Sequence, residues 1–202
     1  MAGGKGERMG GREKPLVTLK GKPLIDYVIA ALINSSRIGH IYISVTPRTP
    51  KTWRYIGNKY RDESRVSAIM TPGTGYHEDT GHSVEKLALF RPFLIISSDI
   101  PLVRSETIDD IVRKYEITGA EALSVRLDCS CVPQEIRVDT ILIDHGIENI
   151  PAAINIIDGR HMNRYQQEHV YIISDRLLAV NINYLQDLSA CDSIMSESSL
   201  SR

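Results

Sequence analysis

The feature that most constrains the fold of this chain is a regular alternation between short apolar runs and amphipathic stretches. The runs are rich in β-branched residues and are bounded by Pro, Gly or Asp, which is typical of buried strands in a parallel sheet. The stretches between them carry apolar residues at helical spacing. This order predicts βαβ units and a doubly wound α/β sheet. The predicted strands cover residues 40–46, 66–70 and 93–97, and the predicted helices cover residues 23–33, 49–60, 79–90 and 105–115.

The second half of the chain is less regular. Further strands are predicted over residues 122–127, 140–144, 152–157 and 177–183, followed by a helix over residues 184–191. We find no internal repeat and no linker, so residues 1–192 are expected to form a single domain. Residues 193–202 are rich in serine and poor in apolar side chains, which predicts a disordered tail.

Composition narrows the class of protein. The chain has 202 residues, of which 42% are hydrophobic and 24% charged, as is ordinary for a globular domain. A net charge of -1 does not favour nucleic-acid binding. Three cysteines are too few for a disulfide framework, and no apolar run approaches the roughly 18 residues of a membrane span, so a cytoplasmic protein is expected. Cys129 and Cys131 are more typical of two loop thiols than of a zinc site, because zinc usually needs four ligands.

The N-terminus combines glycines with basic residues. Lys5, Arg8 and Lys14 are interleaved with the glycines or follow them. Glycine lets backbone N–H groups approach phosphate oxygens closely and the cations neutralise phosphate charge, so this segment is predicted to hold a nucleoside triphosphate. It is not a dinucleotide fingerprint, because Met9 stands where the last glycine would be, nor a Walker A loop, because arginine follows the last glycine. A mobile glycine-rich terminus is the alternative. The glycines are Gly3, Gly4, Gly6, Gly10 and Gly11.

The start of the chain is short for this architecture. A phosphate-binding loop normally follows a first strand, but only Met1 and Ala2 precede the first glycine. Either the central strand is cut short or the native chain begins upstream. Because loss of that strand would leave neighbouring backbone groups unpaired, we expect about four to six further apolar, β-branched residues before Met1, the length of a typical buried strand.

Polar residues follow two apolar segments in positions suited to a metal ion. Asp99 comes directly after a predicted strand, at the edge where open α/β sheets place ligand-binding groups. One carboxylate there can hold Mg²⁺ beside a triphosphate, and a helix cap for the segment after Pro101 is the alternative. Asn181 and Asn183 alternate along a predicted strand, so only one of them is expected to face the site. Each could instead be a structural asparagine that bonds its own backbone.

The segment 73–79 (GTGYHED) joins a predicted strand to a predicted helix with two glycines, an aromatic residue and two carboxylates. His77 and His82 lie five positions apart. Without a further ligand they are more typical of surface histidines than of a metal site.

Ordered motifs in the chain resemble a known family. The order AGG-x-G-x-RMG, KPL and G-x-PLI-x-Y over residues 2–27, then SSDIP at 97–101 and NIN with DL at 181–188, is similar to nucleotidyltransferases of the molybdenum-cofactor guanylyltransferase type. Within that group, TPKT at 49–52, G-x-GY-x-ED at 73–79 and PA-x-IN at 151–155 most resemble the archaeal-type GTP:adenosylcobinamide-phosphate guanylyltransferases. Two departures stand out: the first strand is nearly absent, and Ala153 replaces the glycine of the last motif.

The resemblance implies a Rossmann-like, doubly wound, mostly parallel sheet with an antiparallel addition in the second half. It also implies transfer of GMP from GTP to adenosylcobinamide phosphate, a phosphorylated corrinoid, with release of pyrophosphate. The attacking phosphate is already anionic, so no general base is needed. The implied catalytic residues are Arg8, Lys14 and Asp99, and the implied Mg²⁺ ligands are Asp99, Asn181 and Asn183. The implied nucleotide-binding residues are Ala2, Gly3, Gly4, Lys5, Gly6, Arg8, Met9, Gly10, Lys14, Thr46, Pro47, Gly75, Tyr76, Asp79, Ala153 and Asn155.

Two other functions stay open at this stage. The acceptor could be a molybdopterin or another molecule, or the chain could bind GTP without catalysis, because loss of the first strand could disable turnover and leave the loop. A cytoplasmic homodimer is expected in the enzymatic case.

Overall fold

The computed structural model describes residues 1–3 and 11–200. In its first half, every strand and helix expected from the alternating pattern is present, with bounds shifted by a few residues at most. The elements are β1 (Thr18–Leu19), β2 (Lys22–Pro23), α1 (Leu24–Asn34), β3 (Ile41–Val45), α2 (Pro50–Lys59), β4 (Val66–Met70), α3 (Tyr76–Leu87), β5 (Pro92–Ile96) and α4 (Ser105–Thr118).

The second half confirms three predicted strands and adds one that was not expected. The elements are β6 (Ala122–Asp128), β7 (Leu142–Asp144), β8 (Ile147–Asp158), β9 (Glu168–Ile173) and α5 (Leu185–Leu200). The additional strand is β9, which pairs in parallel with β6.

The strand predicted over residues 177–183 was wrong. This segment is buried but turns instead of extending, because the side chain of Asp175 accepts the N–H groups of Leu177 and Leu178 at 2.9 and 3.1 Å. Such local side-chain to backbone bonds compete with a sheet ladder. The segment then passes the end of β5, where Ile182 N donates to the Asp99 carbonyl at 2.9 Å.

Residues 193–200 form the second half of helix α5, whereas the sequence predicted a disordered tail from residue 193. Cys191 and Ile194 are buried against Leu24 and Val180 in a small apolar cluster. Two buried side chains three positions apart fix one face of the helix, and composition averaged over a serine-rich segment hides such a face.

Two groups of strands build the central sheet. β3 and β4 pair in parallel. The second group runs in the order β5-β8-β6-β9, and β8 is antiparallel to β5, β6 and β7. The mixed α/β class is confirmed, and antiparallel pairing is more extensive than expected because β8 inserts between β5 and β6. The buried face of the sheet packs against α1 and α4, whose Ile29, Ile108 and Ile111 are almost fully buried.

Residues 1–3 lie between β3 and β5 and join the two groups of strands. The Met1 ammonium donates to the Ile96 carbonyl at 2.7 Å, and Ala2 N donates to the Ser44 carbonyl at 2.8 Å. Next to this stub lies a cavity of about 540 Å³, which we call the strand slot. Its walls include Tyr42 and Ser44 of β3 and Leu94 and Ile96 of β5. Among the described residues, this cavity lies between the facing edges of β3 and β5.

Candidate active site

The residues at the carboxyl ends of β3, β4 and β5 surround a second cavity of about 370 Å³, as expected for an open α/β sheet. The N-terminal stub and the segment around Lys14 close its other side. The lining residues are Met1, Ala2, Gly3, Lys14, Pro15, Ser44, Thr46, Arg48, Gly73, Gly75, Tyr76, Asp79, Ser97, Ser98 and Asp99.

Three polar side chains meet at one end of this cavity. Lys14 Nζ donates to Asp99 Oδ2 at 2.5 Å and to Asn183 Oδ1 at 2.9 Å. The side chains of Lys14 and Asp99 are only 17% and 13% exposed, so this ion pair is shielded from solvent. Asp99 follows β5 and Lys14 begins a short 3₁₀ turn ending at Leu16. The structure thus brings together three residues that the sequence placed in the catalytic or metal-binding set.

Asn183 is held in place by the aspartate of the DL motif, to which the sequence assigned no role. Asp187 Oδ2 accepts the N–H groups of Asn183 and Tyr184 at 2.7 and 2.8 Å, and Asp187 is only 4% exposed. A carboxylate in the first turn of a predicted helix was the available signal. Asn181 is not part of this contact set, and its buried Oδ1 has no hydrogen-bond partner within the described residues. Of the two asparagines, Asn183 contacts the lysine.

The first N–H groups of helix α2 are capped by a residue that is distant in the sequence. Glu13 accepts the N–H of Lys51 at 2.9 Å and both the N–H and the hydroxyl of Thr52 at 2.6 and 2.7 Å. Thr49, which directly precedes α2, exchanges hydrogen bonds with the backbone of Thr46 at 3.1 and 3.2 Å. Because Glu13 directly precedes Lys14, this contact fixes the backbone before Lys14 to the start of α2. Glu13 and Thr52 are 39 positions apart, so no local sequence pattern predicts the contact.

Thr46 fills the space between two glycine segments. A Cβ on Gly3 would clash with the Thr46 methyl group, and a Cβ on Gly73 would come within 3.0 Å of the Thr46 Cβ. Gly73 also has a φ of +77°, which favours glycine. The Thr46 hydroxyl donates to the Gly3 carbonyl at 3.2 Å. Thr46 thus lines the cavity and sets its width, whereas Pro47 is exposed and is not among the lining residues.

The segment Gly73–Asp79 forms the opposite wall. Asp79 is 6% exposed and its Oδ1 accepts Gly73 N at 2.7 Å, so one of its oxygens shapes the loop. Tyr76 is 46% exposed at the rim of the cavity. Partial burial raises the pKa of Tyr76, and a hydrogen bond with Asn155 opposes that shift. Tyr76 and Asn155, both in the predicted nucleotide set, are therefore neighbours.

Ala153 adopts a conformation that suits glycine. Its φ is +58°, in the left-handed region. It lies in an irregular part of β8, where residues 152–154 face a single residue of β6, and its carbonyl accepts the N–H of Ser97 at 3.0 Å. The alanine that replaces the family glycine thus lies at a strained position that contacts Ser97, two residues before Asp99.

Arg48 is a lining cation that sequence reasoning missed. Its backbone N–H donates to the Thr46 hydroxyl at 3.3 Å, which directs the chain along the cavity after β3. A basic residue just after a predicted strand was the only signal. The predicted phosphate-binding residues Gly4, Lys5, Gly6, Arg8, Met9 and Gly10 lie outside the described residues.

The donor set fits a magnesium ion that also binds a triphosphate. Asp99 Oδ1 is buried and has no hydrogen-bond partner among residues 1–3 and 11–200, so it has an acceptor position to offer. A carboxylate and an amide oxygen suit Mg²⁺, which keeps several waters and takes phosphate oxygens as further ligands. The described residues contain no cluster of three or more His, Cys, Asp or Glu side chains able to hold a metal, which excludes a site built from those side chains alone in this part of the chain. Burial is the main cause that raises the pKa values of the Cys129 and Cys131 thiols.

The fold is shared with solved structures of other α/β proteins. The structure superposes on that of 4-diphosphocytidyl-2C-methyl-D-erythritol synthase from Anaerococcus prevotii, with a TM-score of 0.68 at 10% identity over 96% of this chain and 93% of the other. It also superposes on molybdopterin-guanine dinucleotide biosynthesis protein A from Archaeoglobus fulgidus, with a TM-score of 0.64 at 19% identity over 97% and 96% of the two chains. At these identities the similarity shows the fold alone.

Sequence comparison gives the family. Residues 1–133 match the model of the MobA-like NTP transferase domain. The chain is 36% identical over 200 residues to the adenosylcobinamide-phosphate guanylyltransferase of Methanocaldococcus jannaschii, covering 99% of this chain and 97% of the relative. The chain therefore belongs to the MobA-like nucleotidyltransferase family. Within the described part of the chain, none of the helices has the length and apolar character needed to cross a bilayer.

Proposed function

We propose that this protein transfers GMP from GTP to adenosylcobinamide phosphate, giving adenosylcobinamide-GDP and pyrophosphate. The observation that carries this function is the Lys14–Asp99–Asn183 contact set at the end of β5, in a chain that matches a guanylyltransferase of that name over nearly its whole length. The set combines the cation and the oxygen ligands that a triphosphate–magnesium complex needs.

The proposed chemistry is a displacement at the α-phosphorus of GTP. An oxygen of the acceptor phosphate forms a bond to that phosphorus, and the bond from the α-phosphorus to the bridging oxygen breaks, so pyrophosphate leaves. The attacking oxygen is anionic and needs no base. Lys14 would offset the charge that grows on the leaving pyrophosphate, and Arg8 would do so from the loop.

The remaining side chains would bind and orient. Asp99 and Asn183 would hold Mg²⁺, which, when bound, supplies charge neutralisation across the α- and outer phosphates. Thr46, Gly73 and Gly75 would admit the nucleotide to a cavity with fixed walls, and Tyr76 would cover it at the rim. A cytoplasmic location and a homodimer belong to the same proposal, and light scattering on the purified protein measures the second.

The test is a pyrophosphate-release assay that crosses donors with acceptors. GTP, ATP, CTP and UTP are each supplied with adenosylcobinamide phosphate or with molybdopterin, with Mg²⁺ present. We expect fast release only with GTP and the corrinoid. Release with molybdopterin would assign a different acceptor, and GTP binding without release in any combination would show a non-catalytic binding protein. Asp99→Asn serves as the inactive control.

A further inference from the structure

The Lys14 ammonium lies between two side-chain oxygens of the kind that bind a metal ion. It lies 2.5 Å from Asp99 Oδ2 and 2.9 Å from Asn183 Oδ1. The backbones that carry both oxygens are held in place, since Asp187 accepts the N–H of Asn183 and Ile182 N donates to the Asp99 carbonyl. The lysine thus sits in a preformed set of oxygen ligands.

Charge and burial explain why the lysine stays there. A carboxylate as shielded as Asp99 needs a nearby positive charge, and the ammonium of Lys14 provides it. A divalent cation at a Mg–O distance of about 2.1 Å from either carboxylate oxygen of Asp99, including the unpartnered Oδ1, would lie within several ångströms of that ammonium. Because the ion pair is shielded from solvent, the two cations would repel each other strongly. Lys14 and a metal ion therefore compete for Asp99.

We propose that Lys14 is a displaceable cation that keeps free divalent metal off Asp99 until a triphosphate draws the ammonium away. The triphosphate supplies the negative charge that Lys14 needs in its new position, so metal and nucleotide enter the site together. The binding free energies of the metal and of the triphosphate are then coupled through the Lys14 side chain. The identity of the nucleotide rests on the proposed function, but the competition does not, because it follows from the contacts of Lys14.

Metal binding without catalysis tests this coupling. Mn²⁺ binding is measured by electron paramagnetic resonance for the wild type, Lys14→Met and Lys14→Gln, with and without inorganic tripolyphosphate. Lys86→Met, an exposed lysine on α3, is the matched control. We expect both Lys14 variants to bind Mn²⁺ at least tenfold more tightly than the wild type without tripolyphosphate. Tripolyphosphate should raise Mn²⁺ affinity by a larger factor in the wild type than in either variant.

Three outcomes are distinguishable. Equal Mn²⁺ affinity in the wild type and both variants without tripolyphosphate would overturn the proposal, as would an equal effect of tripolyphosphate on all three. Adding Asp99→Asn to Lys14→Gln must remove the gain in Mn²⁺ affinity. That result would place the additional Mn²⁺ binding at Asp99 and not elsewhere. Because neither GTP nor an acceptor is present, failure of the transfer assay leaves this result unaffected, and the reverse also holds.

Discussion

Replacing Ala153 with glycine should stabilise the protein, although the same change at the neighbouring Ala152 should destabilise it. An alanine held at a φ of +58° carries about 1–2 kcal/mol of steric strain, which glycine does not. Glycine in turn loses about 0.4–1 kcal/mol more backbone entropy on folding. The net expectation for Ala153→Gly is a gain of about 0.5–1 kcal/mol in the free energy of unfolding.

Ala152 provides the matched control because it differs from Ala153 in burial and backbone conformation. It is 2% exposed and is not among the residues with positive φ. Ala152→Gly removes a buried methyl group, worth about 0.8 kcal/mol, and adds a similar entropic loss, so a destabilisation of about 1.5 kcal/mol is expected. The two variants should thus differ by about 2 kcal/mol, the sum of these two estimates.

Urea unfolding followed by circular dichroism measures both changes under one set of conditions. The midpoint should rise for Ala153→Gly and fall for Ala152→Gly, with the slope of the free energy against urea unchanged. Equal destabilisation of the two variants would refute the reasoning, since it would mean that Ala153 is not strained. The rate of GMP transfer by Ala153→Gly should be measured together with its stability, because the Ala153 carbonyl accepts the N–H of Ser97 near the site.

Three further predictions concern the loop, the metal and the start of the chain. Arg8→Ala and Lys14→Ala should each weaken GTP binding or turnover at least tenfold, about 1.4 kcal/mol, as kinetic titration would show, whereas Lys86→Met should not. Asp99→Asn should abolish transfer more than it weakens GTP binding, and a chelator should stop the wild type; normal transfer after chelation would remove the metal role. Adding four apolar, β-branched residues before Met1 should raise the melting temperature and tighten GTP binding together. Burial lowers the pKa of the Met1 ammonium from 8.0 to about 6, so the stability of the unextended chain should rise between pH 6 and 8, by up to about 3 kcal/mol, and the extended chain should lack that rise.

Much of the fold follows from local patterns in the sequence. β3, β4 and β5 are apolar runs with clear boundaries, and the helices between them show one apolar face. The second half was harder because its structure depends on particular contacts. The side chain of Asp175 turns a buried apolar segment that composition alone marks as a strand. Cys191 and Ile194 anchor a helix in a segment whose average composition suggests disorder.

In the candidate site, too, some residues could be predicted from the sequence and others could not. Asp99 and Lys14 could be predicted from the sequence. A carboxylate at the end of a strand suggests a ligand site, and a lysine after a glycine-rich segment suggests phosphate binding. Asn183 could be separated from Asn181 only once the chain path beside Asp99 was known. Glu13 supports the site through the terminus of α2, a contact set by the tertiary fold and invisible to spacing rules.

The strand slot has a consequence for how amide protons exchange with solvent. Along β3, the N–H of Ile41 points to β4, where it bonds the Arg65 carbonyl, so the N–H groups of Tyr42 and Ser44 point to the opposite edge. Along β5, the N–H groups of Leu94 and Ile96 face the slot by the same alternation. Protection against deuterium should therefore alternate residue by residue within both strands. The slowly exchanging positions should be those whose N–H groups bond to a neighbouring strand, and the rapidly exchanging ones should be those whose N–H groups face the strand slot.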